Sequence, residues 1–239
     1  YFDELVKLHC ISNFSIVSIN PEITKTYIQE NNFFETSKMQ LLHDPIYDDK
    51  SHYKLTKHRC RKLLNLNKDK KIVLYIGGFD YSKGPDIFCG AIELLQEEKN
   101  IQFILAGNMT ASSFDFDKNK YSGLSVLFDD RYLEEELIAQ YLISSDLVVL
   151  PYRKYYENST SGVLVQSCLA KVPVLVPDIS PFKQTVEKEE IGLTFECESE
   201  KSLSNEILNY LSSGKLFSGF ERYLLKIEDW DLRIKQFLS

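Results

Sequence analysis

Short, unbroken apolar runs alternate along the chain with longer stretches whose apolar residues recur at helical spacing. The runs lie at residues 15–19 (Ser-Ile-Val-Ser-Ile), 72–76, 103–106, 126–128, 147–150 and 172–176, with a weaker one at 192–195. Continuous rather than alternating hydrophobicity marks strands buried on both faces, which is the condition of a parallel sheet covered by helices. The stretches between them fit those helices. Residues 86–95 place Ile87, Phe88, Ala91, Ile92, Leu94 and Leu95 at helical intervals. Residues 133–142 open with Glu134, Glu135 and Glu136, acids that suit the positive end of a helix dipole. Residues 162–170 form an apolar helix, and 199–211 set Leu203, Ile207, Leu208 and Leu211 on one side. Strand and helix in alternation predict an α/β, doubly wound, Rossmann-like parallel sheet with right-handed crossovers.

The pattern breaks at about residues 44–55, where His43-Asp44-Pro45-Ile46-Tyr47-Asp48-Asp49-Lys50-Ser51 is polar and has no period. One strand-helix-strand unit (about residues 15–43) precedes the break, too small to cover its own faces. The expected division is therefore 1–48, the trailing unit of another domain plus a linker, and 49–239, one complete domain. The chain starts Tyr1-Phe2-Asp3 without Met, so the expectation is a piece of a longer protein.

Composition narrows the classes. Apolar residues make up 44% and charged residues 26% of the 239, the balance of a folded globular protein rather than a disordered one. With 28 Lys and Arg against 35 Asp and Glu, the net charge is −7 and no basic stripe appears, which argues against nucleic acid as the partner. No apolar run approaches the roughly 18 residues a membrane-spanning helix needs. The five cysteines, Cys10, Cys60, Cys89, Cys168 and Cys197, form no CxxC pair and no zinc-type spacing. They read as buried free thiols of a reducing cytoplasm. His9, His43, His52 and His58 lie in polar sequence with no neighbouring nucleophile, and the runs 134–136 and 187–190 read as solvated acidic faces.

In an open parallel sheet, ligands bind beyond the carboxyl ends of the strands, so the loops there hold the candidate chemistry. After Ile76 come Gly77 and Gly78, which allow close backbone approach, and then Lys83 at the start of the next helix, placed to meet a phosphate. An ordinary strand-to-helix turn would use the same residues, and the GxxxxGK[ST] spacing of a P-loop is absent. After Leu150 a long polar and aromatic loop, residues 151–163, runs into an apolar helix. Ser159, Thr160 or Ser161 would cap that helix, and its first-turn amides make an anion site. A third loop, at Asn108-Met109, carries little signal.

These residues, in this order, carry a resemblance. Leu74-Tyr75-Ile76-Gly77-Gly78 with Lys83-Gly84, then 103–107, Ser145–Tyr152, Ser161-Gly162-Val163-Leu164, 170–176 and Gly192-Leu193 resemble the C-terminal, nucleotide-sugar-binding half of GT-B fold glycosyltransferases, of the group 1, family 4 type. The likeness covers about residues 70–239, with Trp230 near the end also fitting, and residues 15–50 resemble the end of the N-terminal domain and its linker. The resemblance implies a retaining enzyme that moves a sugar, of hexosyl type, from a nucleoside-diphosphate-sugar to a glycan or lipid-linked acceptor. The nucleotide sugar is then substrate, with no separate cofactor and no metal.

The resemblance also implies roles residue by residue. Lys83 matches the lysine that neutralises the donor diphosphate, while the family's partner arginine falls on Gly78. Ser161 and Gly162, with Val163, match the helix start whose amides meet the same diphosphate, and Gly77 lies in the loop beneath it. Gln166 stands where the family has a ribose-binding glutamate; an amide still bonds hydroxyls, without charge-assisted strength. The other glutamate of the pattern falls on Asn158, beside Glu157, either of which reaches the donor sugar's hydroxyls. Tyr132 and Leu133 lie by loop position near the base. The acceptor site, and any peripheral contact with the inner face of a membrane, would belong to the N-terminal domain, so this piece alone is expected to be inactive. The final helix, 230–238, would pack back across that domain. Two other readings use the same residues: a nucleotide-sugar epimerase on this fold, and a non-catalytic interaction domain in which Gly78, Asn158 and Gln166 mark a degenerate site.

Overall fold

The computed structural model describes residues 16–18, 39–41, 49–109, 117–157 and 159–227. Two short strands, β1 (Ile16–Ser18) and β2 (Met39–Leu41), pair in parallel as a small sheet of their own. The main sheet has six parallel strands: β3 (Lys71–Ile76), β4 (Ile101–Ala106), β5 (Val126–Asp129), β6 (Leu147–Val149), β7 (Val174–Pro177) and β8 (Gly192–Phe195). Their order is β5-β4-β3-β6-β7-β8. Helices α1 (Lys57–Leu63), α2 (Pro85–Leu94), α3 (Glu135–Ser144), α4 (Gly162–Leu169), α5 (Phe182–Glu189), α6 (Glu200–Ser213) and α7 (Phe220–Ile227) complete the fold. The expected final helix at 230–238 and Trp230 lie outside the described residues.

The continuous apolar runs have a direct structural cause. Ile72, Leu74 and Ile76 of β3, with Val148 and Val174, face one layer, where they meet Leu142 of α3, Leu164 of α4, Val186 of α5 and Leu224 of α7. Val73 and Tyr75, with Phe103, Leu147 and Leu175, face the other, against Ile87 and Phe88 of α2 and Leu203 and Ile207 of α6. Side chains alternate across a strand, so a strand covered on both sides must be apolar at every position.

The helix boundaries follow local chemistry. Thr56 caps α1, its hydroxyl accepting from the Arg59 amide at 3.3 Å, and Ser199 caps α6 by accepting from the Ser202 amide. Pro85 occupies the first turn of α2, where its missing N–H costs nothing. Helix α1 has no apolar stripe; its buried residues are Cys60 and Arg61. The Arg61 guanidinium donates to the carbonyls of Ser144, Lys68 and Lys70 and pairs with Asp146 at 2.8 Å. Asp146 also accepts from the Ile72 amide at 2.8 Å and from Lys57 at 3.0 Å.

One expectation is corrected. The acidic run at 187–190 is not wholly solvated: Glu189 is buried, its carboxylate 2.5 Å from the Lys226 ammonium and 3.5 Å from Arg222 of α7. An amphipathic helix, α7, folds over that face and takes one acid of the run with it. The acids at 134–136 are exposed, as read from the sequence.

The Asp146 cluster sets an acid sensitivity. Burial pushes its carboxyl pKa up, but the Ile72 amide, Lys57 and Arg61 outweigh that and hold it below the ordinary 3.8. A depressed carboxylate stabilises the fold above its unfolded pKa and loses that contribution as pH falls through the folded value. Asp146→Asn should cost about 3 kcal/mol at neutral pH, because a buried guanidinium loses its counter-charge. Urea unfolding across about pH 5 to about pH 3 should show a shallower loss of stability for the variant than for the wild type. Parallel pH profiles would contradict this reading of Asp146.

Candidate functional site

The strand order reverses direction between β3 and β6: the chain runs outward through β4 to β5 on one side and through β7 to β8 on the other. At such a switch point the loops above neighbouring strands diverge and leave a crevice at their carboxyl ends. The two loops at this crevice are 77–84, after β3, and 150–161, after β6.

The first loop is built for close approach. Gly77 has φ +137°, and its amide donates to the Ala106 carbonyl at 2.9 Å. Gly107, at the end of β4, is pressed against Gly77 so tightly that a Cβ there would run into the Gly77 carbonyl. On their open sides Gly77 and Gly78 would have nothing within 4 Å of an added Cβ, so this stretch of backbone is bare toward the crevice. The Tyr75 hydroxyl donates to the Gly78 carbonyl at 2.7 Å and holds the turn down. Asp80 then caps a 3-10 turn, Tyr81–Lys83, by accepting from the Ser82 amide and hydroxyl. Those bonds lower its pKa. Lys83 ends that turn half-buried, and Gly84, at φ +62°, turns the chain into α2. A side chain at Gly84 would collide with the Pro151 carbonyl of the second loop.

The second loop is anchored by aromatic packing. Tyr152 is buried, 4.5 Å from the Tyr156 ring and 5.3 Å from Phe182, and its hydroxyl shares a 2.8 Å hydrogen bond with the Ser161 hydroxyl. Ser161 is the N-cap of α4: its side chain accepts from the Leu164 amide at 3.3 Å. Of the three capping residues the sequence allows, the third is used. The amides of Gly162 and Val163 then stand in the first turn, where a helix supplies no carbonyl for them and its dipole end is positive. Between the two loops, the Arg153 amide donates to the Ser82 carbonyl at 2.9 Å. The Arg153 side chain forks onto Asp86 of α2 at 2.9 and 2.5 Å and also donates to the Tyr81 carbonyl at 2.8 Å.

The topology thus brings Gly77, Gly78 and Lys83 to the same crevice as Ser161, Gly162 and Val163. Gln166 lies half-buried on α4, four residues after Gly162 and so on the same face. Glu157 is exposed at the end of a 3-10 turn, and Asn158 lies outside the described residues. Tyr132 and Leu133 part company: Tyr132 is 78% exposed beyond β5, whereas Leu133 is buried in the core beside α3. Leu133, read as opening the helix, lies before it in the core; α3 begins at Glu135. Neither Tyr152 nor Arg153 was expected in a fixed role. An aromatic directly after a buried strand is a signal that could have found Tyr152, but nothing local separates a buried arginine from a solvated one.

Among the described cysteines, nucleophilic thiol chemistry has no support. Burial raises the pKa of Cys60 and Cys168, that of Cys89 to about 12 and that of Cys197 to about 11, so these thiols stay protonated at neutral pH. Among the described residues no group of three His, Cys, Asp or Glu stands close enough to hold a metal ion, and no helix is long and apolar enough to cross a membrane. Two clefts of about 280 and 290 Å³ open at the amino ends of the strands, away from the crevice.

The Tyr152–Ser161 contact is testable. Ser161→Ala removes the cap and leaves the tyrosine hydroxyl unpaired in the core, for an expected loss of about 2 kcal/mol. Tyr152→Phe leaves the cap in place and should cost about 1 kcal/mol or less. Urea unfolding of the two variants checks the order, and a larger loss for Tyr152→Phe would refute it.

Comparison with known proteins agrees with this geometry. The sequence matches the family described as Glycosyl transferases group 1 over residues 57–223. It is 26% identical, over 155 residues, to TuaC of Bacillus subtilis (strain 168), named as a teichuronic acid biosynthesis glycosyltransferase; the match takes in 65% of this chain and 36% of that protein. Among solved structures it is similar to Anabaena HepE in complex with UDP-glucose, at 17% identity and a TM-score of 0.74, covering 99% of this chain and 66% of that one. Sucrose-phosphate synthase of Thermosynechococcus elongatus, at 22% identity, gives a TM-score of 0.71 and covers 93% and 57%. The chain therefore spans about a third to two thirds of the length of these proteins, and the structural likenesses establish the shared Rossmann-like fold. With the family match running from α1 into α7 and across all six strands of the main sheet, the chain belongs to the group 1 glycosyltransferases.

Proposed function

We propose that this chain is the donor-binding part of a retaining glycosyltransferase that takes its sugar, of hexosyl type, from a nucleoside-diphosphate-sugar. The observation that carries the reading is the meeting, at the switch point, of the loop that holds Gly77, Gly78 and Lys83 with the loop that leads into the first turn of α4. Those groups suit a diphosphate: an ammonium from one loop, first-turn amides and a helix dipole from the other. HepE, which shares the fold, is solved with UDP-glucose, which supports a UDP-sugar as the donor to try first.

In this reading the protein works chiefly by electrostatics. As the bond from sugar to diphosphate breaks, positive charge grows on the ring and negative charge on the departing phosphate. Lys83 and the amides of Gly162 and Val163 stabilise the latter, and the amides, fixed beforehand by the helix, cost no reorganisation. The exposed Tyr132 ring serves the base. Gln166 bonds the ribose hydroxyls, and Glu157 and Asn158 the hydroxyls of the sugar. The acceptor, a glycan or lipid-linked sugar, binds to an N-terminal domain of which residues 1–48 are the trailing part, on the cytoplasmic side of the membrane where the acceptor is lipid-linked. No separate cofactor enters the reaction.

Calorimetric titration with UDP, with GDP as comparator, tests the site. Lys83→Ala should weaken UDP binding by about tenfold or more, the size of a lost charge-assisted bond to phosphate. Absence of nucleotide binding, or an unchanged affinity in the variant, would defeat the assignment. A second expectation concerns turnover: these 239 residues alone should bind UDP-glucose without transferring glucose to any glycan. Transfer by this chain, measured as acceptor-dependent UDP release, would show that the acceptor half is not needed.

A further inference from the structure

We infer that Arg153 is a positioning residue of the donor site: it acts through geometry, holding the Lys83 turn against the loop that leads to α4. The inference rests on the donor-binding reading above and adds to it a residue that contacts no substrate.

Arg153 is only 8% exposed, an expensive place for a guanidinium. Its charge is answered by Asp86, on which it forks, and by Glu198, whose carboxylate lies 3.7 Å from Nε. It thus has little field left to offer a phosphate, and its effect on a ligand must pass through the backbone it holds. That backbone is the one that matters. Arg153 bonds the Tyr81 carbonyl through its side chain and the Ser82 carbonyl through its amide, so two consecutive peptide groups directly before Lys83 are fixed. On the far side of Lys83, Gly84 is wedged against the Pro151 carbonyl. The guanidinium also lies 3.9 Å from the centre of the Tyr81 ring, closing the turn from above.

A third loop is drawn in. Glu198, just after β8, adopts φ +62°, a left-handed conformation that a non-glycine residue takes only where its surroundings enforce it. Held so, its carboxylate faces the Arg153 Nε and accepts from the Lys154 amide at 3.2 Å. One step away, the Cys197 thiol reaches the Tyr152 carbonyl at 3.7 Å. A guanidinium suits this task because its planar fork presents several donors in fixed directions, which an ammonium on a flexible stem does not. Were packing alone at issue, apolar residues of similar volume would serve as well or better.

Two measurements on wild type, R153K and R153A decide the matter. The Lys83 and Gly84 amides, which donate to the Asp80 and Tyr81 carbonyls, should exchange hydrogen about tenfold faster or more in R153K than in wild type. UDP should bind about tenfold more weakly to R153K and weaker still to R153A. Millimolar guanidinium should recover affinity in R153A and none in K83A, since it can refill the cavity but cannot replace the ammonium. If R153A does not fold, D86N removes the charge and one of the two accepting oxygens of the fork at a partly exposed position and should shift exchange and affinity in the same direction. A folded R153K that melts lower but keeps wild-type exchange at Lys83 and Gly84 and wild-type UDP affinity would overturn the inference. Wild-type protein that ignores UDP would instead overturn the donor reading, while the exchange rates would still decide whether Arg153 holds the turn.

Discussion

The junction of β3 with β6 is the constraint on which the site depends. Only two residue pairs, Val73 with Leu147 and Leu74 with Val148, register these strands, yet the crevice exists because the chain reverses direction there. So short a ladder is secured from both ends by a buried arginine. At the amino end Arg61 binds the Lys70 carbonyl before β3 and the Ser144 carbonyl before β6 and pairs with Asp146, which in turn takes the Ile72 amide. At the carboxyl end Arg153 binds the turn after β3 from the loop after β6. Neither contact need add much net stability, since desolvation of such ions offsets most of their attraction. What they supply is a fixed spacing between two loops, and removal of one partner strands a buried charge.

Charge is accordingly handled locally in this protein. The chain carries −7, the wrong sign for an anionic ligand, and Arg153 is neutralised by Asp86 and Glu198. What a diphosphate would meet is Lys83 and the amides at the start of α4, backbone groups whose direction is set by Ser161 and Tyr152. Bare glycine backbone at Gly77 and Gly78 removes the steric bar to that approach. On the proposed reading, Gly78, where the resemblance puts an arginine, leaves open backbone in place of a second cation.

Much of the fold was legible because its cause is one-dimensional. A strand covered on both faces needs an apolar residue at every position, so β3, β4, β6 and β7 announce themselves as runs; the edge strands β5 and β8, half-buried in whole or in part, give shorter or weaker ones. Helix α1 was not legible, because it is fastened by one arginine rather than by an apolar stripe. Helix α7 carries Phe220, Leu224 and Ile227 at helical spacing, a pattern the sequence reading passed over in naming only the helix at 230–238. Glu189 belongs with Arg61 and Arg153: a charged side chain looks alike in sequence whether water or a counter-ion surrounds it.

By itself the sequence determined the α/β class, the alternation that makes the sheet parallel, and the loops in which Lys83, Ser161 and Gly162 stand. Those depend on local period, capping and turn chemistry, which neighbouring residues encode. The tertiary structure alone decided that these loops face one another, that Ser161 is the cap, that Leu133 turns inward while Tyr132 stays out, and that two arginines are buried. Those facts depend on contacts such as Arg61 with Asp146 and Arg153 with Asp86, between residues 85 and 67 positions apart. A linear pattern cannot express a contact at that range; only the folded sheet brings its partners together.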